Sequence, residues 1–142
     1  MILRLAEEAE RRLRELAEAA YPHEGCGVLL GRPGDETVVE IVTSGRNLVT
    51  ERSRDRYELD PGDIVAADRQ ARESGLEVLG FWHTHPDHPA RPSQFDTDHA
   101  WTDYVYVICS VTGGSCDLVR AWWLREQGGP FDPVDLAHTG AA

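Results

Sequence analysis

The 142-residue chain contains no lysine, and all 14 of its basic residues are arginine. With 25 acidic residues, the formal net charge is -11. Such a chain repels polyanions, so its composition argues against nucleic acid as a partner. The absence of lysine fits a salt-rich habitat or a GC-rich genome, and neither origin bears on mechanism.

Cysteine is also scarce, and Cys26, Cys109 and Cys116 include no Cys-x-x-Cys pair. An odd count without that spacing argues against a disulfide framework. We expect all three to be core thiols, with Cys109 and Cys116 facing each other across a hairpin. Free thiols persist in a reducing cytosol, so the cysteine content predicts a cytoplasmic protein.

Long hydrophobic runs are absent as well, since no apolar stretch approaches the roughly 20 residues needed to cross a bilayer. The first apolar residues are interleaved with Glu7, Glu8 and Glu10, so the N-terminus does not resemble a signal peptide. No membrane partner is expected. The length predicts one domain, which at this size buries roughly 68–70% of its unfolded surface.

Hydrophobic periodicity and turn signals divide the chain into the helices and strands of an α/β, or α+β, fold. An amphipathic helix is predicted over residues 2–20, where apolar residues recur at helical spacing until a proline ends the run. A second helix is predicted to begin at Pro61, with Asp60 as its N-cap, and to end at a Ser-Gly pair. Short apolar runs predict strands at 28–30, 37–43, 76–79, 104–111 and 116–124, and a short helix is expected over 93–101.

Two polar segments complete the chain. Residues 44–58 form a connection that carries three arginines: Arg52, Arg54 and Arg56. In an extended segment their guanidinium groups would share a face, and the segment is either a solvated loop or a contact with substrate. Residues 127–142 are rich in Gly, Pro and Ala and are expected to form a flexible tail, so the predicted domain spans residues 1–126.

The stretch from Gly80 to Asp96 carries the clearest chemical signal. His83 and His85 lie two residues apart, so both imidazoles leave the same face of a strand end. Three prolines follow, which exclude a regular helix or inner strand and force a loop. Ser93-x-x-Asp96 then begins a short helix, where the serine can cap the helix and the aspartate can lie in its first turn.

Two imidazoles and one carboxylate can therefore converge on one point. A histidine pair with a carboxylate is a common ligand set for a zinc ion that keeps a fourth position for water. Neither half of the pattern is specific alone, because His-x-His often occurs by chance and Ser-x-x-Asp is a common helix cap. The complete arrangement of His83, His85, Ser93 and Asp96 is more specific.

This arrangement resembles the signature of the JAMM family, the metal-bearing MPN domains, in its order and spacing. The signature has Pro after the second histidine and commonly before the serine, and Pro86 and Pro92 match both positions. The residue between the histidines is often Ser in the family and is Thr84 here, which leaves the ligands untouched. Asn47, Tyr57, Asp60 and Pro61 also fit the family's approach to its second helix. The resemblance covers roughly residues 1–125.

The family has an upstream catalytic glutamate just before a buried strand, in a Pro-x-Glu-x-Cys-Gly-like context. Pro22, Glu24, Cys26 and Gly27 match that context. From the residues alone, Glu24 could equally be a glutamate in a surface loop. The sequence does not give its distance from the histidines.

The resemblance implies a cytidine-deaminase-like MPN domain, in which a mixed, curved β-sheet is flanked by an N-terminal helix, a second long helix and a short helix after the metal loop. It implies one zinc ion per chain, held by His83, His85 and Asp96 with water as the fourth ligand. Glu24 would accept the proton of the water, and Ser93 would hydrogen-bond the developing oxyanion.

The implied activity is hydrolysis of a peptide or isopeptide bond after the C-terminal Gly-Gly of a ubiquitin-like protein. Short connections leave little room for the insertions of larger family members, so the resemblance favours compact bacterial relatives that trim small sulfur carrier proteins. A metal-free MPN scaffold remains the alternative. A zinc deaminase is disfavoured because His-x-Glu with Pro-Cys-x-x-Cys does not occur. The sequence does not indicate an oligomeric state.

Overall fold

A seven-stranded β-barrel forms the centre of the protein. The computed structural model describes residues 1–51, 53 and 55–138, and within them it contains seven strands and three helices. The strands are β1 (Ile2–Leu5), β2 (Cys26–Arg32), β3 (Glu36–Gly45), β4 (Glu77–Pro86), β5 (Val105–Thr112), β6 (Ser115–Leu124) and β7 (Phe131–His138). The helices are α1 (Glu7–Ala20), α2 (Pro61–Glu73) and α3 (Gln94–His99).

The strands follow the order β1-β3-β2-β4-β5-β6-β7, and pairing of β1 with β7 closes the barrel. Three of the pairings, β1 with β3, β1 with β7 and β4 with β5, are parallel, and the others are antiparallel. The expected mixed α/β fold is therefore confirmed. The sheet was expected to be curved, and in the structure its edge strands β1 and β7 also pair, which closes it into a barrel.

Helices cover the barrel on two sides. Helix α1 buries Ala9, Leu13 and Ala17 in one core cluster. Helix α2 contributes Ala67 and Ala71 to a second cluster. As predicted, α2 begins at a proline, and the side chain of its N-cap Asp60 accepts a hydrogen bond from the amide of Gly62 at 2.9 Å.

The N-terminal helix prediction was wrong for its first turn. Residues 2–5 form strand β1, parallel to both β3 and β7, and α1 begins only at Glu7. Leu3 and Leu5 are fully buried while the intervening Arg4 pairs with Glu36, which is the alternation of a strand. The apolar pattern of residues 2–5 fits both the helical and the strand period. Pairing with β3 and β7, which are distant in the sequence, makes the segment a strand.

The flexible-tail prediction for residues 127–142 is also wrong where the structure describes that segment. Residues 131–138 form β7, which fills the gap between β6 and β1. Val134 and Leu136 pack against the core, so the last strand contributes apolar surface despite the Gly- and Pro-rich residues before it. The predicted domain boundary at residue 126 therefore falls too early.

The three cysteines are core thiols, as expected. Cys26, Cys109 and Cys116 are free thiols, and all three are buried. Cys109 and Cys116 lie on the paired strands β5 and β6, and the neighbouring Cys116 thiol and burial raise the pKa of Cys109. Among the described residues, no helix has the length and apolar character required to span a bilayer.

We expect β7 to contribute measurably to stability. Replacing both Val134 and Leu136 by alanine should lower the free energy of unfolding by about 2–4 kcal/mol, since these half-buried side chains pack on the core. Asp135→Ala, an exposed position on the same strand, should change it by less than about 0.5 kcal/mol. Chemical denaturation measures both, and equal small effects would contradict a packed β7.

Candidate metal centre

The two histidines of the His-x-His pair lie at the end of the central strand β4. This strand pairs with β2 on one side and β5 on the other, so both side chains are enclosed. His83 is 1% exposed and His85 is also buried. Their rings point to the same face, as the two-residue spacing predicts, and their Nε2 atoms lie 3.2 Å apart.

The N-terminus of α3 brings Asp96 to the same point. The Ser93 side chain accepts a hydrogen bond from the amide of Asp96 at 3.0 Å, and Asp96 Oδ2 accepts one from the amide of Ser93 at 2.9 Å. This capping box leaves Oδ2 3.1 Å from His83 Nε2 and 3.0 Å from His85 Nε2. Asp96 therefore takes part in the helix cap and also lies beside both histidines, so the two interpretations of the sequence are compatible.

The protonation of these groups indicates what the cluster can bind. The carbonyl of Pro89 can only accept, so His85 Nδ1 donates to it at 2.8 Å, and the neutral ring then has no proton on Nε2. Burial lowers the pKa of His83, which keeps that ring neutral at pH 7. Burial raises the pKa of Asp96, but the neighbouring histidines and the Ser93 amide outweigh it and hold that pKa well below its usual range.

Burial lowers the pKa of His85, but its bonds to Asp96 and to the Pro89 carbonyl outweigh burial and raise that pKa. Either a proton on Nε2 or a metal cation can therefore lie between His85 Nε2 and Asp96 Oδ2, which are 3.0 Å apart. Tetrahedral zinc bonds of roughly 2.0–2.1 Å place ligand atoms about 3.3 Å apart. The three separations of 3.0, 3.1 and 3.2 Å differ only slightly from that value. The residues present therefore fit a metal ion.

Glu24 joins this cluster from the loop before β2. One of its carboxylate oxygens and one nitrogen of each histidine lie within 4.8 Å of one another. Two carboxylates therefore compete for the role of third ligand. Asp96 Oδ2 lies within hydrogen-bonding distance of both nitrogens, at 3.1 Å from His83 Nε2 and 3.0 Å from His85 Nε2.

The environment of the Glu24 carboxyl is unusual. The residue is 4% exposed, and its Oε1 has no hydrogen-bond partner in the described part of the chain. Burial raises its pKa to about 8, a change that the charges of Asp96 and Asp55 reinforce and that of His85 opposes. The interpretation of Glu24 as an ordinary surface-loop residue is therefore wrong.

Backbone contacts hold the Glu24 loop in place. The amide of Glu24 donates to the carbonyl of Ser53, and its carbonyl accepts from Asn47 Nδ2 at 3.2 Å. Thr84, between the two histidines, bonds twice to Gly25: its Oγ1 accepts from the Gly25 amide at 2.8 Å, and its amide donates to the Gly25 carbonyl at 3.0 Å. The middle residue of His-x-His thus ties the Glu24 loop to β4.

Three residues of the connection between β3 and α2 matter more than the sequence analysis indicated. Asn47 and Tyr57 were noted only as fitting a family pattern, yet the Tyr57 ring stacks on His83 with 4.4 Å between centroids. Arg56 lies over the Phe95 ring at 5.0 Å from its centroid. Arg52 and Arg54 lie outside the described residues. The signals in the sequence were the family pattern for Asn47 and Tyr57 and the arginine cluster for Arg56.

Two cavities meet at Arg56 and Phe95, which line both. The smaller, of about 630 Å³, contains Glu24, His85 and Ser93 in its wall. The larger, of about 940 Å³, lies on the other side and includes the aromatic side chains of Tyr57, Phe81, Phe95, Trp101 and Tyr106. The cluster is therefore accessible from a cleft rather than sealed in the core.

Comparison with known proteins identifies the family. Residues 6–125 match the family described as prokaryotic homologs of the JAB domain. The chain belongs to this JAB, or JAMM/MPN, family. A desampylase of Haloferax volcanii is 39% identical over 101 residues, which cover 70% of this chain and 71% of the relative. A probable TtuB-protein conjugate cleaving protease of Thermus thermophilus is 33% identical over 117 residues, covering 82% and 71%.

Solved structures support the same fold. A protein from Desulfitobacterium hafniense has a TM-score of 0.83 at 28% identity, covering 99% of this chain and 94% of that one. A protein from Salinibacter ruber has a TM-score of 0.74 at 36% identity, covering 96% and 92%. A JAB1/MPN domain protein from Archaeoglobus fulgidus has a TM-score of 0.53 at 15% identity over 94% and 98%, and shows the fold alone.

The tie between Thr84 and Gly25 can be tested with two substitutions. Thr84→Val keeps the shape but leaves the Gly25 amide without its acceptor, so it should cost about 1–3 kcal/mol of stability. Thr84→Ser keeps the hydroxyl and should cost only about 0.8 kcal/mol for the lost methyl. Amide hydrogen exchange at Gly25 should accelerate in the valine variant alone. Equal exchange in both variants would contradict this role of the hydroxyl.

Proposed function

We propose that this chain is a zinc-dependent hydrolase that cleaves the bond after the C-terminal Gly-Gly of a ubiquitin-like protein. The observation that carries the proposal is the convergence of two buried histidines and one buried carboxylate beside a second, protonatable carboxylate, Glu24. Such a set combines a cation site with a proton acceptor at one point of a cleft, and metal-assisted hydrolysis requires both.

The ligands of the ion would be His83 Nε2, His85 Nε2 and Asp96 Oδ2, because these atoms lie nearest to one another. Three protein ligands leave a position for water, as in catalytic rather than structural zinc sites. When bound, zinc supplies an acidified water and polarises the carbonyl of the substrate. Asp96 also keeps its capping bond to Ser93, which fixes the direction of its carboxylate.

Glu24 is assigned the role of general base. Its unpartnered Oε1 would accept a proton from the attacking water and then deliver it to the nitrogen of the leaving amine as the C–N bond breaks. Burial raises the pKa of Glu24 to about 8, so its carboxyl is mainly protonated at pH 7 in the metal-free protein. A bound cation would favour the carboxylate form, which is the form that accepts the proton. The backbone bonds to Asn47, Ser53 and Thr84 would keep the carboxyl in place meanwhile.

Ser93 is assigned the stabilisation of the oxyanion. Its oxygen accepts the capping bond from Asp96, and the hydroxyl proton can still be donated to a developing negative charge. The residue lines the same cavity as Glu24 and His85. In comparable sites one such donor contributes about 2.7–4 kcal/mol to the transition state.

The choice of substrate rests on the relatives, whose names refer to desampylation and to cleavage of TtuB-protein conjugates. We infer the same substrate class here: proteins joined to, or extended beyond, the C-terminus of a ubiquitin-like sulfur carrier. The cleft that contains Glu24 and Ser93 is open at the protein surface, as an extended C-terminal tail would require. Both peptide and isopeptide bonds fit this chemistry.

The metal proposal predicts one zinc ion per purified chain. His83→Ala and Asp96→Ala should each abolish stoichiometric binding, because each removes one of three ligands. His99→Ala should retain the ion, since His99 is exposed and bonds to the Phe95 carbonyl instead. Elemental analysis checks all three variants. A wild-type chain that binds no zinc after reloading would favour the scaffold alternative.

The base assignment predicts a separation of activity from folding. Glu24→Gln keeps the size of the side chain but cannot accept a proton, so turnover should fall by a factor of roughly 10²–10⁴. Zinc content and melting temperature should stay close to those of the wild type. Glu73→Gln, on the exposed face of α2, is the matched control. Mass spectrometry of a ubiquitin-like protein with a Gly-Gly-X tail measures cleavage, and unchanged cleavage would remove Glu24 from the mechanism.

A further inference from the structure

The two histidines of the metal centre are held in different ways. His85 donates its second ring nitrogen, Nδ1, to the carbonyl of Pro89 at 2.8 Å. Metal-binding histidines almost always make such a bond, because it fixes the tautomer and the orientation of the ring. His83 Nδ1 is buried and has no hydrogen-bond partner in the described part of the chain. Another contact must therefore set the orientation of the His83 ring.

The Tyr57 ring provides that contact. It stacks on the His83 imidazole with 4.4 Å between centroids and 22° between planes. A nearly parallel ring covers one face of the imidazole and opposes its rotation about the Cβ–Cγ bond. Tyr57 therefore supplies by packing what Pro89 supplies to His85 by a hydrogen bond.

The residues before and after Tyr57 are both hydrogen-bonded to one side chain, that of Asn47. Asn47 Nδ2 donates to the carbonyl of Arg56 at 3.1 Å, and Asn47 Oδ1 accepts from the amide of Glu58 at 3.0 Å. The same Nδ2 donates to the carbonyl of Glu24. One amide thus links the segment that carries Tyr57 to the loop that carries the proposed base.

We infer that Tyr57 is a positioning residue, whose stacked ring fixes the His83 imidazole for metal ligation, and that Asn47 anchors it. The inference rests on the proposed function, since it assumes that His83 is a ligand. It assigns no chemical step to Tyr57 and makes its aromatic ring, rather than its hydroxyl, the part that matters. Phenylalanine should therefore replace it and an aliphatic residue should not.

The test is the zinc affinity of the metal-free protein, measured by competition with a chelator. Tyr57→Phe keeps the ring and should bind zinc within about twofold of the wild type. Tyr57→Leu removes the stack and should bind roughly 3- to 10-fold more weakly, the range expected when one aromatic contact is lost. The melting temperature of each metal-free variant is recorded on the same preparation. If Tyr57→Leu does not fold, Tyr57→Met, which has an unbranched side chain, carries the same expectation.

Tyr104→Leu is the matched control, because the Tyr104 ring packs on Phe81, at 5.2 Å between centroids, rather than on a histidine. It should lower the melting temperature and leave the zinc affinity unchanged. Equal affinity in the wild type and Tyr57→Leu would overturn the inference, as would an equal loss in Tyr57→Leu and Tyr104→Leu. A wild type without zinc would instead overturn the proposed metal site, so the two failures are distinguishable.

Discussion

The structure depends on the packing of two imidazole nitrogens and one carboxylate oxygen within 3.2 Å of one another in a buried site. Such polar groups are costly to remove from water unless a proton or a cation shared between them compensates the charge of the carboxylate. The protein must therefore hold them together with its own framework. A bound cation, as proposed for this site, would compensate the charge of Asp96 and occupy the space between the three groups.

The framework is the centre of the barrel. Strand β4 carries both histidines and pairs with β2 as far as His83 and with β5 as far as Pro86, so the histidine end of β4 is held by its neighbours. Gly80 allows β5 to approach closely, since a Cβ there would lie 1.8 Å from the carbonyl oxygen of Val105. The carboxylate arrives separately, at the first turn of α3, and the capping box aims it. A rigid strand and a capped helix thus share one cluster.

Glu24 is positioned through hydrogen bonds to its backbone rather than to its side chain. Asn47, Ser53 and Thr84 bond to the backbone of residues 24 and 25, while Oε1 makes no hydrogen bond to the described residues. The base role proposed for Glu24 requires a carboxylate that is available for proton transfer. Anchoring through the main chain leaves it available, whereas a side-chain partner would compete for the proton. Burial raises its pKa to about 8. Position and reactivity are therefore controlled by separate contacts.

The sequence by itself determined the features that depend on neighbours along the chain. The spacing of His83 and His85 set their common face, and Asp60 and Ser93 marked the starts of α2 and α3, because caps act over three or four residues. Only the tertiary structure decided that residues 2–5 and 131–138 are strands, that Glu24 reaches the histidines, and that Tyr57 stacks on one of them. These depend on pairing and packing between segments far apart in the chain, which local periodicity does not encode.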